Sequence, residues 1–172
     1  MSKVVLMGYM GSGKSIIGQL LSEKTGISFI DLDNFIELKE TITIKSIFEN
    51  KGEIYFRKIE HQYFKELLQS DQHFILSTGG GTICYASNHE LLNNNEIISI
   101  YLNASIDTLY DRLVVEKTKR PIIAEKSEIE MRDFIAKHLF DRNYYYNQAK
   151  FKINVNNKSI QEIVIEIEKI LA

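Results

Sequence analysis

Between Gly8 and Ser15 the chain reads GYMGSGKS, and the four residues before it, Val4–Met7, are VVLM. The spacing Gly-x4-Gly-Lys-Ser is that of a phosphate-binding loop. Its glycines let consecutive backbone N–H groups turn inward around an anion, and a helix starting near Lys14 adds its positive end. The Lys14 ammonium reaches outer phosphates, and the Ser15 hydroxyl suits magnesium. The surroundings agree with this reading. An apolar strand, Lys3–Met7, leads into the loop. A helical run, Lys14–Thr25, leads out, with Ile16, Ile17, Leu20 and Leu21 on one face and Gly26 at its end. The loop asks for a nucleoside triphosphate. It leaves open whether the phosphoryl group passes to water, as in switches and motors, or to a hydroxyl, as in small-molecule kinases.

Outward from the loop, strands and helices alternate. Ser28–Asp31, Phe74–Ser77, Ile97–Leu102 and Phe151–Val155 read as short strands. A helix begins over Asn34–Lys39, and a long helical region, Ile44–Leu68, is broken near Gly52. Ile106–Glu116, Met131–Gln148 and Ile160–Leu171 complete the helices. About five strands separated by helices predict a three-layer α/β/α fold around a central parallel sheet. The 172 residues suit one domain spanning 1–172. Lys and Arg number 21 against 23 Asp and Glu, a formal charge of −2, which gives no footprint for nucleic acid or an anionic membrane. The single cysteine, Cys84, permits no internal disulfide, and no apolar run has signal-peptide or membrane-span character, so the expected compartment is the cytoplasm. The polar stretch Glu116–Glu128, with the only proline, Pro121, reads as a mobile surface loop.

If a hydroxyl is the acceptor, the residues that hold it belong at strand C-termini. Three segments qualify. In FIDLD, Phe29–Asp33, strand alternation would aim Asp31 and Asp33 the same way. Asp31 then suits magnesium held through water, and Asp33 suits an acceptor hydroxyl. In GEIYFRKIE, Gly52–Glu60, Arg57 and Glu60 stand three apart on a helix, a spacing that also fits a plain surface pair. In STGGG, Ser77–Gly81, the glycines let backbone approach a ligand, or simply make a tight turn. Other conspicuous residues have structural readings. Tyr144–Tyr146 would cap a helix end against the core, the four histidines show no metal spacing, and Cys84 has no adjoining basic partner to activate it.

Taken together, these motifs resemble the shikimate kinase family, P-loop enzymes of the nucleoside monophosphate kinase-like group. The likeness runs nearly end to end: the phosphate loop, DLDNFIE at Asp31–Glu37, IFENKGEIYFRKIE at Ile47–Glu60, STGGG, KRP at Lys119–Pro121, and DRNYYYNQA at Asp141–Ala149. It implies ATP-dependent phosphorylation of the 3-hydroxyl of shikimate by a monomer whose partners are shikimate, ATP and Mg2+. The resemblance places ATP against Gly11, Ser12, Gly13, Lys14, Ser15 and Ile16, with Arg112 packed on the adenine opposite Asn156 and Asn157. Magnesium falls to Ser15 and Asp31. Shikimate falls to Asp33, Arg57, Arg142, Gly79, Gly80 and Gly81, within and beyond a substrate-binding region of about 33–61. Glu60 orients Arg57. Arg120 reaches the phosphates from a lid at about 116–128, making Lys14, Asp33 and Arg120 the catalytic set. Two positions depart from the family pattern: Tyr144 stands where a proline is common, and Asn147 where a glutamate is common. Gluconate kinases share the scaffold and are the nearest rival.

Overall fold

The computed structural model describes residues 3–116 and 124–172. Its five strands are β1 (Lys3–Met7), β2 (Ser28–Asp31), β3 (Phe74–Ser77), β4 (Ile97–Asn103) and β5 (Phe151–Asn154). They form one parallel sheet in the order β2-β3-β1-β4-β5. Val5 of β1 pairs with Leu76 of β3 on one side and Ser99 of β4 on the other. Every residue of β1 and β3 is buried, so helices must cover both faces. That explains why these strands read as continuous apolar runs rather than alternating ones. Each fully buried Leu or Ile in such a core contributes about 1.5–3 kcal/mol. The architecture is the three-layer α/β/α P-loop fold expected from the sequence.

The helices are α1 (Lys14–Thr25), α2 (Leu32–Glu40), α3 (Ile44–Gln69), α4 (Ile106–Val115), α5 (Glu128–Tyr146) and α6 (Ile160–Leu171). Gly13 starts α1 at φ 99°, a left-handed conformation that a side chain would oppose. Gly52 stands at φ 79°, ψ 174° and divides α3, the break the sequence indicated.

Three boundaries differ from the sequence reading. α2 begins at Leu32, because the Asp31 carboxylate accepts from the N–H groups of Asp33 and Asn34 and caps the helix. Asp33 therefore lies in a first helical turn and does not continue the strand, so the expected alternation of Asp31 and Asp33 along β2 is corrected. α5 starts three residues early at Glu128, where Ser127 and Glu130 form a capping box. Between β3 and β4 the chain makes two short 3₁₀ segments, Thr82–Cys84 and Asn88–Asn93, where no regular element was expected. Arg120 and Pro121 lie outside the described residues, as does most of the expected lid.

This strand order decides where chemistry can occur. β1 is central and its C-terminal end carries the phosphate loop. β3, its neighbour, leads into STGGG, and β2 leads into Asp31 and Asp33. Three motifs far apart in sequence thus meet at one edge of the sheet.

Candidate active site

A cleft of about 1050 Å³ opens along that edge, lined by Gly13, Lys14, Ser15, Asp33, Gly79 and Arg112 among others. The buried Lys14 folds back across the loop, its Nζ donating to the carbonyls of Gly8 at 2.8 Å and Tyr9 at 3.0 Å. Ser12 N–H closes the turn onto Tyr9 O at 3.1 Å. The Ser12 hydroxyl is buried, with no hydrogen-bond partner among the described residues. Gly11 and Ile16 also line the cleft. Arg112 of α4 braces the loop: Nη1 donates to Gly11 O and Ser12 O, and Nη2 to Val155 O. It thus stands between the loop and the residue preceding Asn156.

The Ser15 hydroxyl donates to Asp31 Oδ2 at 2.9 Å. The other Asp31 oxygen is engaged in capping α2, so one residue both starts a helix and faces the phosphate loop. The Asp33 carboxyl faces the cleft, open to water at its mouth and enclosed by protein around it. That enclosure, then the charges of Asp31 and Glu60, push its pKa up to about 6 against the opposing pull of Lys14.

The acceptor wall is built around the triple glycine. A Cβ added at Gly79 would meet Thr82 Oγ1 at 2.9 Å and Asp33 Oδ1 at 3.4 Å. One at Gly80 would lie 3.4 Å from Arg142 Nη1, and one at Gly81 would lie 2.9 Å from Arg57 Nη2. Close approach thus bears on Gly79, where a Cβ would press on Thr82, and on Gly81, where it would push the Arg57 guanidinium, while at Gly80 it would make ordinary contact. Arg57 and Arg142 flank this turn, and both are half-buried.

Glu60 is not a surface partner, since only 1% of it is exposed. Its Oε2 accepts from Arg57 Nη1 at 2.8 Å and its Oε1 from the Thr82 hydroxyl at 2.7 Å. Burial disfavours the Arg57 charge, but Glu60 outweighs it and raises the guanidinium pKa. The turn itself is anchored to α3, because buried Asn88 donates to Thr82 O and meets His61 Nδ1 at 2.6 Å.

Sequence reasoning missed part of this wall. Tyr146 does not merely cap a helix end. Its hydroxyl donates to Gly80 O at 2.5 Å, and its ring stacks on Tyr101 with centroids 5.0 Å apart. Tyr144, by contrast, is exposed, so the tyrosine run does not act as one unit. Tyr9 is buried, its hydroxyl 2.9 Å from His138 Nδ1 on α5, and the Arg142 guanidinium lies over its ring at 5.5 Å. No local pattern marks such pairs, since their members stand far apart in the chain. Cys84 does have basic neighbours, Arg142 and Arg57, contrary to the sequence reading, but burial outweighs them and pushes its thiol up to about 11, which disfavours the thiolate.

A loop of the phosphate-binding type, with Asp33 in the same cleft and two arginines beside the triple glycine that borders it, defines a P-loop kinase of small molecules. The shikimate kinase family model matches residues 10–172. The chain belongs to the shikimate kinase family, as its motifs implied, and is an ATP-dependent kinase. It is similar to the shikimate kinase of Flavobacterium johnsoniae, with 59% identity over all of both chains. Among solved structures, shikimate kinase from Bacteroides thetaiotaomicron superposes with a TM-score of 0.90 at 33% identity, covering 99% of this chain and 98% of that one. Shikimate kinase from Acinetobacter baumannii, in complex with shikimate, gives 0.84 at 31% identity, covering 99% and 93%.

Proposed function

We propose that Lys14, Asp33, Arg57 and Arg142 carry out in this cleft the reaction of the family, transfer of the γ-phosphoryl group of ATP to the 3-hydroxyl of shikimate. The product is shikimate 3-phosphate, on the route to chorismate and the aromatic amino acids. The observation that carries the assignment of roles is the convergence of Asp33, Arg57 and Arg142 on Gly79–Gly81. Shikimate lies with its ring against these glycines and its carboxylate on the two arginines, for which the guanidinium fork is suited. Asp33 then accepts the proton of the attacking hydroxyl. As the new O–P bond forms, the bond from the γ-phosphorus to the bridging oxygen breaks, and ADP leaves. Lys14 and the amides at the start of α1 offset charge on the transferring group.

Ser15 and Asp31 offer hard oxygens of the kind magnesium takes, with phosphate and water completing its shell. A bound Mg2+ would neutralise phosphate charge. Arg112 stands where the adenine side of the cleft begins. Arg120, outside the described residues, is assigned to the phosphates from the lid on the sequence resemblance. The same reading has residues 1–172 act as one domain, a monomer in the cytoplasm on small molecules. Among the described residues no helix is long and apolar enough to cross a membrane.

Arg57→Lys tests the carboxylate assignment. Lysine keeps the charge but loses the fork, and buried Glu60 is left poorly paired. Shikimate binding should weaken by about 2–5 kcal/mol while ATP binding stays nearly intact. Calorimetry with each ligand separately checks this, and unchanged shikimate affinity would remove Arg57 from the site.

A further inference from the structure

Arg57 is gripped on more than its Glu60 side. Tyr85, immediately after the Thr82–Cys84 segment, lays its ring 3.9 Å from the guanidinium carbon, and the Phe56 ring lies at 5.2 Å. Glu60 occupies Nη1 alone. Nε is buried without a hydrogen bond among the described residues, and the Glu53 carboxylate stands 3.5 Å away on an exposed side chain. A planar cation held by one strong hydrogen bond can still swing about it. An aromatic face at contact distance removes that freedom, and guanidinium stacks well on such a face. Tyr85 is 40% exposed, so its ring is not a core element whose loss would unsettle the fold. Tyr85, like Arg57 itself, lies outside the lining of the cleft beside the phosphate loop.

We propose that Tyr85 is a positioning residue for shikimate recognition. Its ring fixes the plane of the Arg57 guanidinium, so that the Nη edge beside Gly81 meets the substrate carboxylate. The proposal rests on the reading of Arg57 as a carboxylate ligand. Because Tyr85 touches Arg57 and not the phosphate loop, its contribution falls on shikimate binding and leaves the chemical step alone.

The test compares Tyr85→Leu, Tyr85→Phe and Arg57→Lys by steady-state kinetics, with shikimate and ATP each varied. Tyr85→Leu, which keeps apolar bulk without an aromatic face, should raise the shikimate KM about five- to tenfold. Its kcat, its KM for ATP and its melting temperature should stay near those of the parent. Tyr85→Phe should restore the shikimate KM to within about twofold, since the ring face returns. A shikimate KM unchanged in Tyr85→Leu overturns the proposal, as does an equal loss in kcat and in KM for ATP. Arg57→Lys in the same assay tells the two failures apart. If it raises the shikimate KM while Tyr85→Leu does not, the error lies with Tyr85. If neither does, the reading of Arg57 has failed and the proposal falls with it.

Discussion

Asp33→Asn is expected to lower kcat by about 10²- to 10⁴-fold while the protein folds and binds ATP. The amide keeps the size of the carboxylate but cannot take the proton of the acceptor hydroxyl. Two further readings accompany the loss. Since enclosure in the cleft raises the Asp33 carboxyl to about 6, the parent enzyme should lose kcat/KM for shikimate roughly tenfold per pH unit below that value, as the base is protonated. Stability should move the other way. A carboxyl whose folded pKa exceeds its ordinary 3.8 costs the fold free energy when ionised. The Asn variant should therefore be at least as stable as the parent above pH 6, and that advantage should fade as the pH falls toward 4. Thermal melting across this range checks the sign. Near-normal turnover in the variant would show that Asp33 is neither the base nor the main orienter.

Lys14→Ala is the second large effect. Nζ spans the loop, bonded to Gly8 O and Tyr9 O, so the loop's own carbonyls hold the cation in place. Preorganised charge of this kind matters most in the transition state. Turnover should fall by roughly 10²-fold or more, and shikimate affinity should hardly change. Single-turnover rates separate the chemical step from binding. A chemical step within a few-fold of the parent would leave Lys14 as a brace for the loop.

The sheet was legible because its central strands, β1, β3 and β4, are short apolar runs separated by helical stretches, and the phosphate loop was legible because its glycines, lysine and serine are contiguous. Arg57, Asp33 and the triple glycine could be singled out, yet nothing local distinguished Arg57 and Glu60 from a surface pair. The burial of Glu60 and the Thr82 hydroxyl on its other oxygen decide that, and both depend on how the Thr82–Cys84 segment after β3 packs against α3. Asp33 was misplaced on a strand because a capping aspartate, Asp31, starts α2 two residues earlier than the apolar pattern suggests. The contacts of Tyr9 with His138, Tyr146 with Gly80 and Tyr85 with Arg57 join residues that no periodicity connects. They are products of the tertiary fold, and the acceptor wall is for that reason less readable than the loop it faces.

The account stands or falls on its acceptor. An assay coupled to ADP release, run with magnesium and ATP and with shikimate, gluconate and AMP side by side, tests it directly. Membership of the shikimate kinase family predicts rapid ADP release with shikimate and little with gluconate, although gluconate also offers a carboxylate and hydroxyls, and little with AMP. Gluconate turned over as well as shikimate, or ADP released equally fast with no acceptor present, would contradict it.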